Sequence, residues 1–165
     1  MSGVVHVARS YSAPASRVFD AWLDPAIAGR WLFATATQPM AQVAIDARVA
    51  GAFRLVERRG DALVEHAGSY VALVPPRRLA FTLSSSDRAE APTLVTVDIV
   101  PQRMGCRLAV VHERLPAGRI RELKARWLGV LYGLGVTLDA IQPSSNPLAP
   151  DAARAVTGEI QCITC

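Results

Sequence analysis

The segment from Pro14 to Leu32 constrains the fold of this 165-residue chain more than any other. Its first half carries apolar residues at helical spacing, namely Val18, Phe19, Trp22 and Leu23. We expect Asp24 to cap a second helix that starts at Pro25, where a missing N–H costs nothing. Helices this short are marginal alone in water, so the pair is predicted to lie on a larger structure.

Most of the chain between residues 3 and 113 is predicted to form β-strands, because apolar and polar residues alternate there. The alternation places seven strands around residues 5–11, 43–47, 53–55, 64–74, 79–83, 95–99 and 105–112. In the fourth strand one side is shared by Val64, His66, Gly68, Tyr70 and Val74. Short turns between consecutive strands indicate an antiparallel sheet with one buried and one wet face.

A long helix around Trp127 is the last predicted element. Its apolar stripe falls within about 40° of Trp127 and comprises Ile120, Leu123, Leu131, Leu134, Leu138 and Ile141. The order β-α-α-β6-α indicates an α+β fold, in which a curved antiparallel sheet of about seven strands wraps around the C-terminal helix. Residues 1–141 are therefore predicted to form one domain. The Pro- and Ser-rich residues 142–165 are expected to be an extended or partly ordered C-terminal extension.

Several short motifs follow the helix pair in a fixed order along the chain. They are Val49-Ala-Gly-Ala-Phe-Arg54, Gly68-Ser-Tyr70, Pro75-Pro-Arg-Arg-Leu-Ala-Phe-Thr82, Thr93-Leu-Val-Thr-Val97 and Arg126-Trp127. Together with the Asp-Pro corner, they resemble the START-like superfamily, also called SRPBCC or birch-pollen-allergen-like, in the branch related to the activator of Hsp90 ATPase. The resemblance covers about residues 5–140. It implies a helix-grip fold with a pocket between the concave face of the sheet and the long helix.

The side chains predicted to line that pocket follow from strand parity, from the helix pair and from the stripe of the long helix. They are Trp31, Phe33, Phe53, Leu55, His66, Tyr70, Phe81, Leu108, His112, Trp127, Leu131 and Leu134. The alternative is that these residues only fill a core. The pocket is expected to be mainly apolar with a few convergent polar groups, as ligand sites usually are.

Three polar residues occupy positions where their strands otherwise point apolar side chains inward. His66, Tyr70 and His112 can orient a ligand or act as acid and base there. The alternative for each histidine is a structural role, with its ring satisfied by one backbone carbonyl. Glu57 continues the parity of Phe53 and Leu55 at a strand end. We see no Ser/His/Asp set with interpretable spacing, so the sequence assigns no catalytic residue, and it predicts no metal and no cofactor.

The far side of the long helix carries a second apolar face. It comprises Leu128, Gly129, Tyr132, Gly133 and Val136. A helix that is apolar on both sides needs a second cover, and glycines lower helix stability unless another backbone approaches closely. We predict that a second copy of the chain, in a homodimer, or the C-terminal extension covers this face.

Composition narrows the partners and the location. The formal charge is +4 with a pI near 9.4, but the arginines are scattered and lack a groove-reading motif, so no nucleic-acid partner is expected. No apolar run approaches the roughly 20 residues of a membrane helix, and the N-terminus does not look like a signal peptide. We expect a cytoplasmic protein that does not engage a membrane.

Three functions are compatible with this sequence. The first is binding of a small apolar molecule in the pocket, as a carrier or sensor. The second is an enzyme similar to polyketide cyclases or dehydratases, which would use His66, His112 and Tyr70. The third is the protein-interaction role that the resemblance to Hsp90 activators implies, although fold alone does not carry function.

Overall fold

The computed structural model describes residues 2–33 and 40–141. The strands are β1 Ser2–Tyr11, β2 Gln42–Ile45, β3 Ala52–Arg59, β4 Ala62–Val74, β5 Arg78–Ser85, β6 Thr93–Gln102 and β7 Gly105–Pro116. The helices are α1 Ala15–Leu23, α2 Pro25–Trp31 and α3 Ile120–Ala140, with a 3-10 turn at Ala117–Arg119 before α3. The predicted extension, residues 142–165, lies outside the described residues.

The seven strands form one antiparallel sheet in the order β1-β7-β6-β5-β4-β3-β2. Consecutive strands from β2 to β7 are neighbours, as the short turns between them predict. The N-terminal strand β1 pairs with β7 and so completes the sheet at its other edge. The predicted α+β fold, with a seven-stranded antiparallel sheet and a long C-terminal helix, is confirmed.

The helix pair has the predicted Asp-Pro corner. The side chain of Asp24 accepts a hydrogen bond of 2.9 Å from the backbone N–H of Ala26, and Pro25 is the first residue of α2. Trp22 and Trp31 pack edge to face with ring centroids 4.7 Å apart. The indole N–H of Trp31 also donates to the carbonyl oxygen of Ala21 at 3.1 Å. These contacts hold the two helices of the corner together.

Helix α3 packs its apolar stripe on the concave face of the sheet. The stripe residues Leu123, Trp127, Leu131, Leu134 and Leu138 are buried, and Val130 and Thr137 beside them are buried as well. The hydroxyl of Tyr11 in β1 donates to the carbonyl oxygen of Leu131 at 2.7 Å, which ties the first strand to the middle of the helix. Within the described ranges no helix is both long and apolar enough to cross a membrane.

Strand β4 departs from the predicted alternation at its end. The pairing of β4 with β5 shifts register between Tyr70 and Ala72. A bulge inserts one extra residue into a strand and so reverses which face the later side chains occupy. Val74, which we expected to share the inward side with Val64, is therefore 51% exposed. The parity prediction was wrong for this residue.

Candidate functional site

A cavity of about 300 Å³ opens at one end of the space between the sheet and α3. Its walls come from the end of β3 and the first half of β4, from β5 and β6 where these two strands are joined, from the end of β7, and from the first two turns of α3. Its apolar lining consists of Phe33, Leu83, Ala91, Leu115, Leu123 and Trp127. Its polar lining includes His66, Ser85, Thr93 and His112 together with charged residues at the rim. The cavity therefore has a mixed surface.

Both ring nitrogens of His112 are engaged in hydrogen bonds. The indole N–H of Trp127 donates to His112 Nδ1 at 3.0 Å, so that nitrogen must be an unprotonated acceptor. The other nitrogen, Nε2, lies 2.7 Å from Thr93 Oγ1, whose hydroxyl donates to the carbonyl oxygen of Leu83 at 3.0 Å. Burial, together with the positive charge of Arg119, lowers the pKa of His112 to about 4. His112 is thus a neutral residue that links α3 to the sheet.

His66 has a different set of partners. Its Nε2 lies 2.6 Å from Glu57 Oε1, and its Nδ1 lies 2.9 Å from the hydroxyl oxygen of Ser85. His66 and Glu57 are both buried, whereas Ser85 is partly exposed and lines the cavity. The three residues form a continuous hydrogen-bonded row, called here the Ser85–His66–Glu57 row. It leads from the cavity surface into the sheet.

Two arginines surround the carboxylate of Glu57. Arg59 and Arg126 each donate to Glu57 Oε1, at 3.1 and 3.0 Å. Burial opposes ionisation of Glu57, but the hydrogen bonds from Arg59 and His66 and the charge of Arg126 lower its pKa overall. Burial also lowers the pKa of His66, and the bond to Glu57 only partly offsets this. Near neutral pH the row therefore holds an ionised Glu57 and a neutral His66.

Phe33 lies over this row from the end of α2. Its ring stacks on His66 with centroids 4.6 Å apart, and the guanidinium of Arg126 lies 5.5 Å from its centroid on the way to Glu57. The backbone of Phe33 has a φ of 62°, a left-handed conformation that costs a non-glycine residue on the order of 1–2 kcal/mol. The contacts with His66, Arg126 and Trp127 compensate for that strain. They also shield the imidazole from water.

The rim of the cavity consists of ion pairs. Arg88 and Arg119 both bind Glu122, at 3.3 and 3.0 Å. Arg119 also binds Glu90 at 3.0 Å, and Arg59 binds Asp87 at 3.0 Å. Each of the arginines that line the cavity is thus paired with a carboxylate, so the rim is polar without a large excess of one charge.

The twelve predicted pocket residues are divided between this cavity and the closed interior. Phe33, His66, His112 and Trp127 line the cavity. Phe53, Leu55, Tyr70 and Phe81 instead surround a void of only about 10 Å³ where the sheet faces the helix pair, a region called here the closed end, and Phe33 lines this void as well. The remaining four, Trp31, Leu108, Leu131 and Leu134, are buried core residues. The aromatic rings at the closed end lie 5.3 to 6.3 Å apart and fill the space that the apolar pattern had suggested for a ligand.

Several residues of the cavity were not singled out from the sequence. Ser85 continues the inward parity of Leu79, Phe81 and Leu83, and Thr93 continues that of β6. The signal was therefore present as two small polar residues at inward positions of strand ends. Arg126 entered the sequence analysis only as part of the Arg126-Trp127 motif. Its contact with Glu57, 69 positions earlier, is visible only in the tertiary structure.

The outer face of α3 is partly as predicted. Leu128, Tyr132 and Val136 are 49%, 60% and 52% exposed, and a Cβ on Gly129 would meet no atom within 4 Å. Gly133 is placed differently from the expectation, since a Cβ there would lie 3.9 Å from the backbone of Trp31 in α2. The neighbour of this glycine is therefore a residue of the same domain, at ordinary van der Waals distance. Pairing of the exposed residues with a second copy stays a prediction.

Solved structures resemble this fold closely. Protein CV1439 from Chromobacterium violaceum is 27% identical, with a TM-score of 0.73, over 81% of this chain and 95% of that chain. CalU16 from Micromonospora echinospora is 21% identical, with a TM-score of 0.65, over 87% of this chain and 82% of that chain. DynU16, described as belonging to the dynemicin biosynthetic locus, is 24% identical, with a TM-score of 0.66, over 86% of this chain and 49% of that chain. At these identities, the similarity of CalU16 and DynU16 to this chain shows only that the fold is shared.

Sequence comparison gives the family. A search of the curated proteins finds no match. The family model described as "Activator of Hsp90 ATPase homolog 1-like protein" matches residues 12–139, which is well over half of the chain. The motifs that suggested the START-like superfamily lie largely within this range. The chain therefore belongs to the family of Activator of Hsp90 ATPase homolog 1-like proteins, within the START-like superfamily.

Proposed function

We propose that this protein binds a small amphipathic molecule in the cavity at the open end of the sheet, as a carrier or sensor. The observation that carries the proposal is a cavity of about 300 Å³ with an apolar floor and several polar groups that reach its surface. That volume lies at the lower end of the range typical of small-molecule sites. The ligand is therefore small.

The lining argues for an amphipathic rather than a purely apolar ligand. Leu115, Leu123 and Trp127 offer apolar contact, whereas Ser85 and the guanidinium groups are polar. A purely apolar ligand would remove those polar groups from water without replacing their hydrogen bonds, which costs free energy. A ligand with an apolar body and at least one hydrogen-bonding group matches both parts of the surface.

A blocked cavity tests this proposal. Ala91 lies on the cavity wall and is exposed, so Ala91→Trp is expected to fill the opening without disturbing the core. Ala62→Trp, at the exposed start of β4, is the matched control. The probe is 8-anilinonaphthalene-1-sulfonate, an aromatic anion that fluoresces in apolar surroundings. We expect the wild type and Ala62→Trp to bind it equally and with one site, and Ala91→Trp to bind it at least tenfold more weakly.

Native mass spectrometry of freshly purified protein gives an independent measurement. A retained small molecule that is absent from Ala91→Trp would support binding in the cavity. Equal probe binding by all three proteins would place the probe elsewhere and contradict the proposal. An empty wild-type protein that also fails to bind the probe would contradict it as well.

The second candidate function is an enzyme similar to polyketide cyclases or dehydratases. The observation that favours it is the presence of His66 on the cavity surface with Glu57 and Ser85 as partners. The roles first predicted for His112 and Tyr70 are less well supported. His112 uses both nitrogens in the packing of α3, and Tyr70 lines the closed void. The description of DynU16 as a protein of the dynemicin biosynthetic locus is consistent with a biosynthetic role for this fold.

A further inference from the structure

We propose that Ser85 is a nucleophile that His66 activates for acyl transfer, with a small carboxylic ester or thioester in the cavity as the substrate. The inference rests on the proposed function, because the cavity must admit a ligand for the reaction to occur. It assigns a chemical class to that ligand and a reactive atom, Ser85 Oγ, to the protein.

The first argument is the protonation state that the geometry imposes on His66. The ionised carboxylate of Glu57 can only accept hydrogen bonds, so the proton of the neutral imidazole must be on Nε2, 2.6 Å from Glu57 Oε1. The lone pair of Nδ1 then faces the hydroxyl of Ser85 at 2.9 Å. This is the arrangement of a serine, a base and an orienting acid in nucleophilic hydrolases, here with the two ring nitrogens exchanged.

The second argument is the difference in exposure along the row. Ser85 is partly exposed and lines the cavity, whereas His66 and Glu57 are buried behind it. A nucleophile must reach the substrate, while its base is better shielded from water. His112, by contrast, has no nitrogen left for a substrate, since Trp127 and Thr93 occupy both. The cavity therefore contains one histidine that is held as a base toward a hydroxyl.

The third argument concerns the charge that develops on the substrate oxygen. Arg126 contacts Glu57 through Nη2 and also lines the cavity. A guanidinium has five N–H donors, so further donors remain beyond the one bound to Glu57. Donors directed at a developing oxyanion in a partly enclosed site are a major source of rate enhancement. Arg126 is therefore the residue we assign to that role.

The proposed step is balanced without a further reactant except water. Ser85 Oγ forms a bond to the carbonyl carbon while its proton moves to His66 Nδ1. The bond from that carbon to the alkoxide or thiolate breaks, and the proton on Nδ1 passes to the leaving group. Water then attacks the acyl-serine with the same proton transfers, which releases the carboxylic acid and restores the hydroxyl of Ser85. No oxidation or reduction takes place.

Covalent labelling tests the proposal directly. The wild type is treated with a fluorophosphonate, which phosphonylates activated serines, and with p-nitrophenyl acetate, which releases p-nitrophenol on acylation. We expect about one equivalent of adduct on Ser85 by peptide mass spectrometry and a burst of about one equivalent of p-nitrophenol. Ser85→Ala should lose both signals. Ser86→Ala is the matched control, because Ser86 is the next serine along the chain, lies outside the cavity lining and accepts a hydrogen bond from the backbone N–H of Glu65.

Two further measurements test the role of His66 as the base. His66→Gln is expected to lower the acylation rate at least 100-fold, the lower end of what a general base contributes. In the wild type, ¹⁵N NMR should show His66 protonated on Nε2 and unprotonated on Nδ1. If His66→Gln does not fold, the comparison of Ser85→Ala with Ser86→Ala and the NMR tautomer still decide the matter.

The results that would overturn the inference are distinct from those that concern ligand binding. Absence of a Ser85 adduct in the wild type, or labelling of Ser85→Ala at the wild-type rate, would remove Ser85 as the nucleophile. A proton on Nδ1 of His66 would also contradict the assigned role. If 8-anilinonaphthalene-1-sulfonate still binds to the cavity in those cases, only the acyl-transfer inference fails and the proposed function stands.

Discussion

Two neighbouring regions of the inner face of the sheet differ, although both include residues of β3, β4 and β5. At the closed end, Phe53, Tyr70 and Phe81 pack with Trp22 around a void of about 10 Å³. At the open end, polar residues at strand termini surround a cavity of about 300 Å³. Large aromatic rings fill the space at the closed end. At the open end, polar side chains are held apart by hydrogen bonds to fixed partners, so they do not fill the space between them. The comparison shows that close apolar packing and a hydrogen-bonded polar surface lie in separate regions of the sheet.

Replacement of a leucine by alanine at each end is expected to give the largest effect on the free energy of unfolding. Leu79→Ala at the closed end should lower the free energy of unfolding by about 3–5 kcal/mol, because it adds an enclosed cavity to the lost transfer energy. Leu123→Ala beside the open cavity should cost about 2 kcal/mol or less, because the removed atoms extend a space that water already reaches. Urea unfolding at pH 7.5 measures both. Equal losses would contradict the proposed difference between the ends.

The second-largest expected effect is a loss of stability at acidic pH, which arises at the open end. The pKa of His112 is about 4 in the folded protein and about 6.5 when unfolded, so the unfolded chain binds the proton more readily. The contribution of neutral His112 is therefore complete above about pH 6.5 and is lost as the pH falls through 4. Between pH 7.5 and 5 we expect a loss of about 2 kcal/mol from this residue, with His66 adding to it in the same direction.

Two variants separate this effect from the general response to acid. His112→Gln should flatten the dependence of unfolding free energy on pH between 7.5 and 5, whatever its absolute stability. His6→Gln, at an exposed position of β1, should retain the wild-type slope. A slope that is unchanged in His112→Gln would show that the neutral His112 is not the acid-sensitive group.

The ion pairs at the rim should contribute little to stability. Arg88 and Glu122 are 39% and 57% exposed in their side chains, and exposed pairs usually contribute between zero and about 1 kcal/mol. Arg88→Ala is therefore expected to change the unfolding free energy by less than about 0.5 kcal/mol. Urea unfolding measures this change. A larger loss would contradict the prediction and would mean that the ion pairs of the rim stabilise the fold.

The outer face of α3 should give the smallest effect on the folded monomer. Tyr132 is exposed, so Tyr132→Glu should leave the unfolding free energy within about 0.5 kcal/mol of the wild type. If the predicted homodimer forms through this face, the variant should be monomeric by light scattering while the wild type is dimeric. A wild type of monomeric mass would remove the homodimer prediction.

The residues of the open end show how much of the candidate site the strand pattern predicts. Alternation predicted that His66 and His112 point inward, and both do. It did not distinguish their roles, because the role of each ring depends on partners from distant parts of the chain. His112 faces Trp127 on α3, whereas His66 faces Glu57 on β3 and Ser85 on β5. Ser85 and Thr93 were missed because small polar residues at strand ends are also typical of turns.

The sequence by itself determined the α+β fold, the order of its elements and the Asp-Pro corner. Those features depend on local spacing and on capping, which neighbouring residues specify. The tertiary structure decided which end of the sheet is closed, which histidine is hydrogen-bonded to Ser85 and where Gly133 lies. These outcomes depend on side-chain volume and on hydrogen bonds between residues far apart in the chain. Such contacts have no period in the sequence, so only the packed structure reveals them.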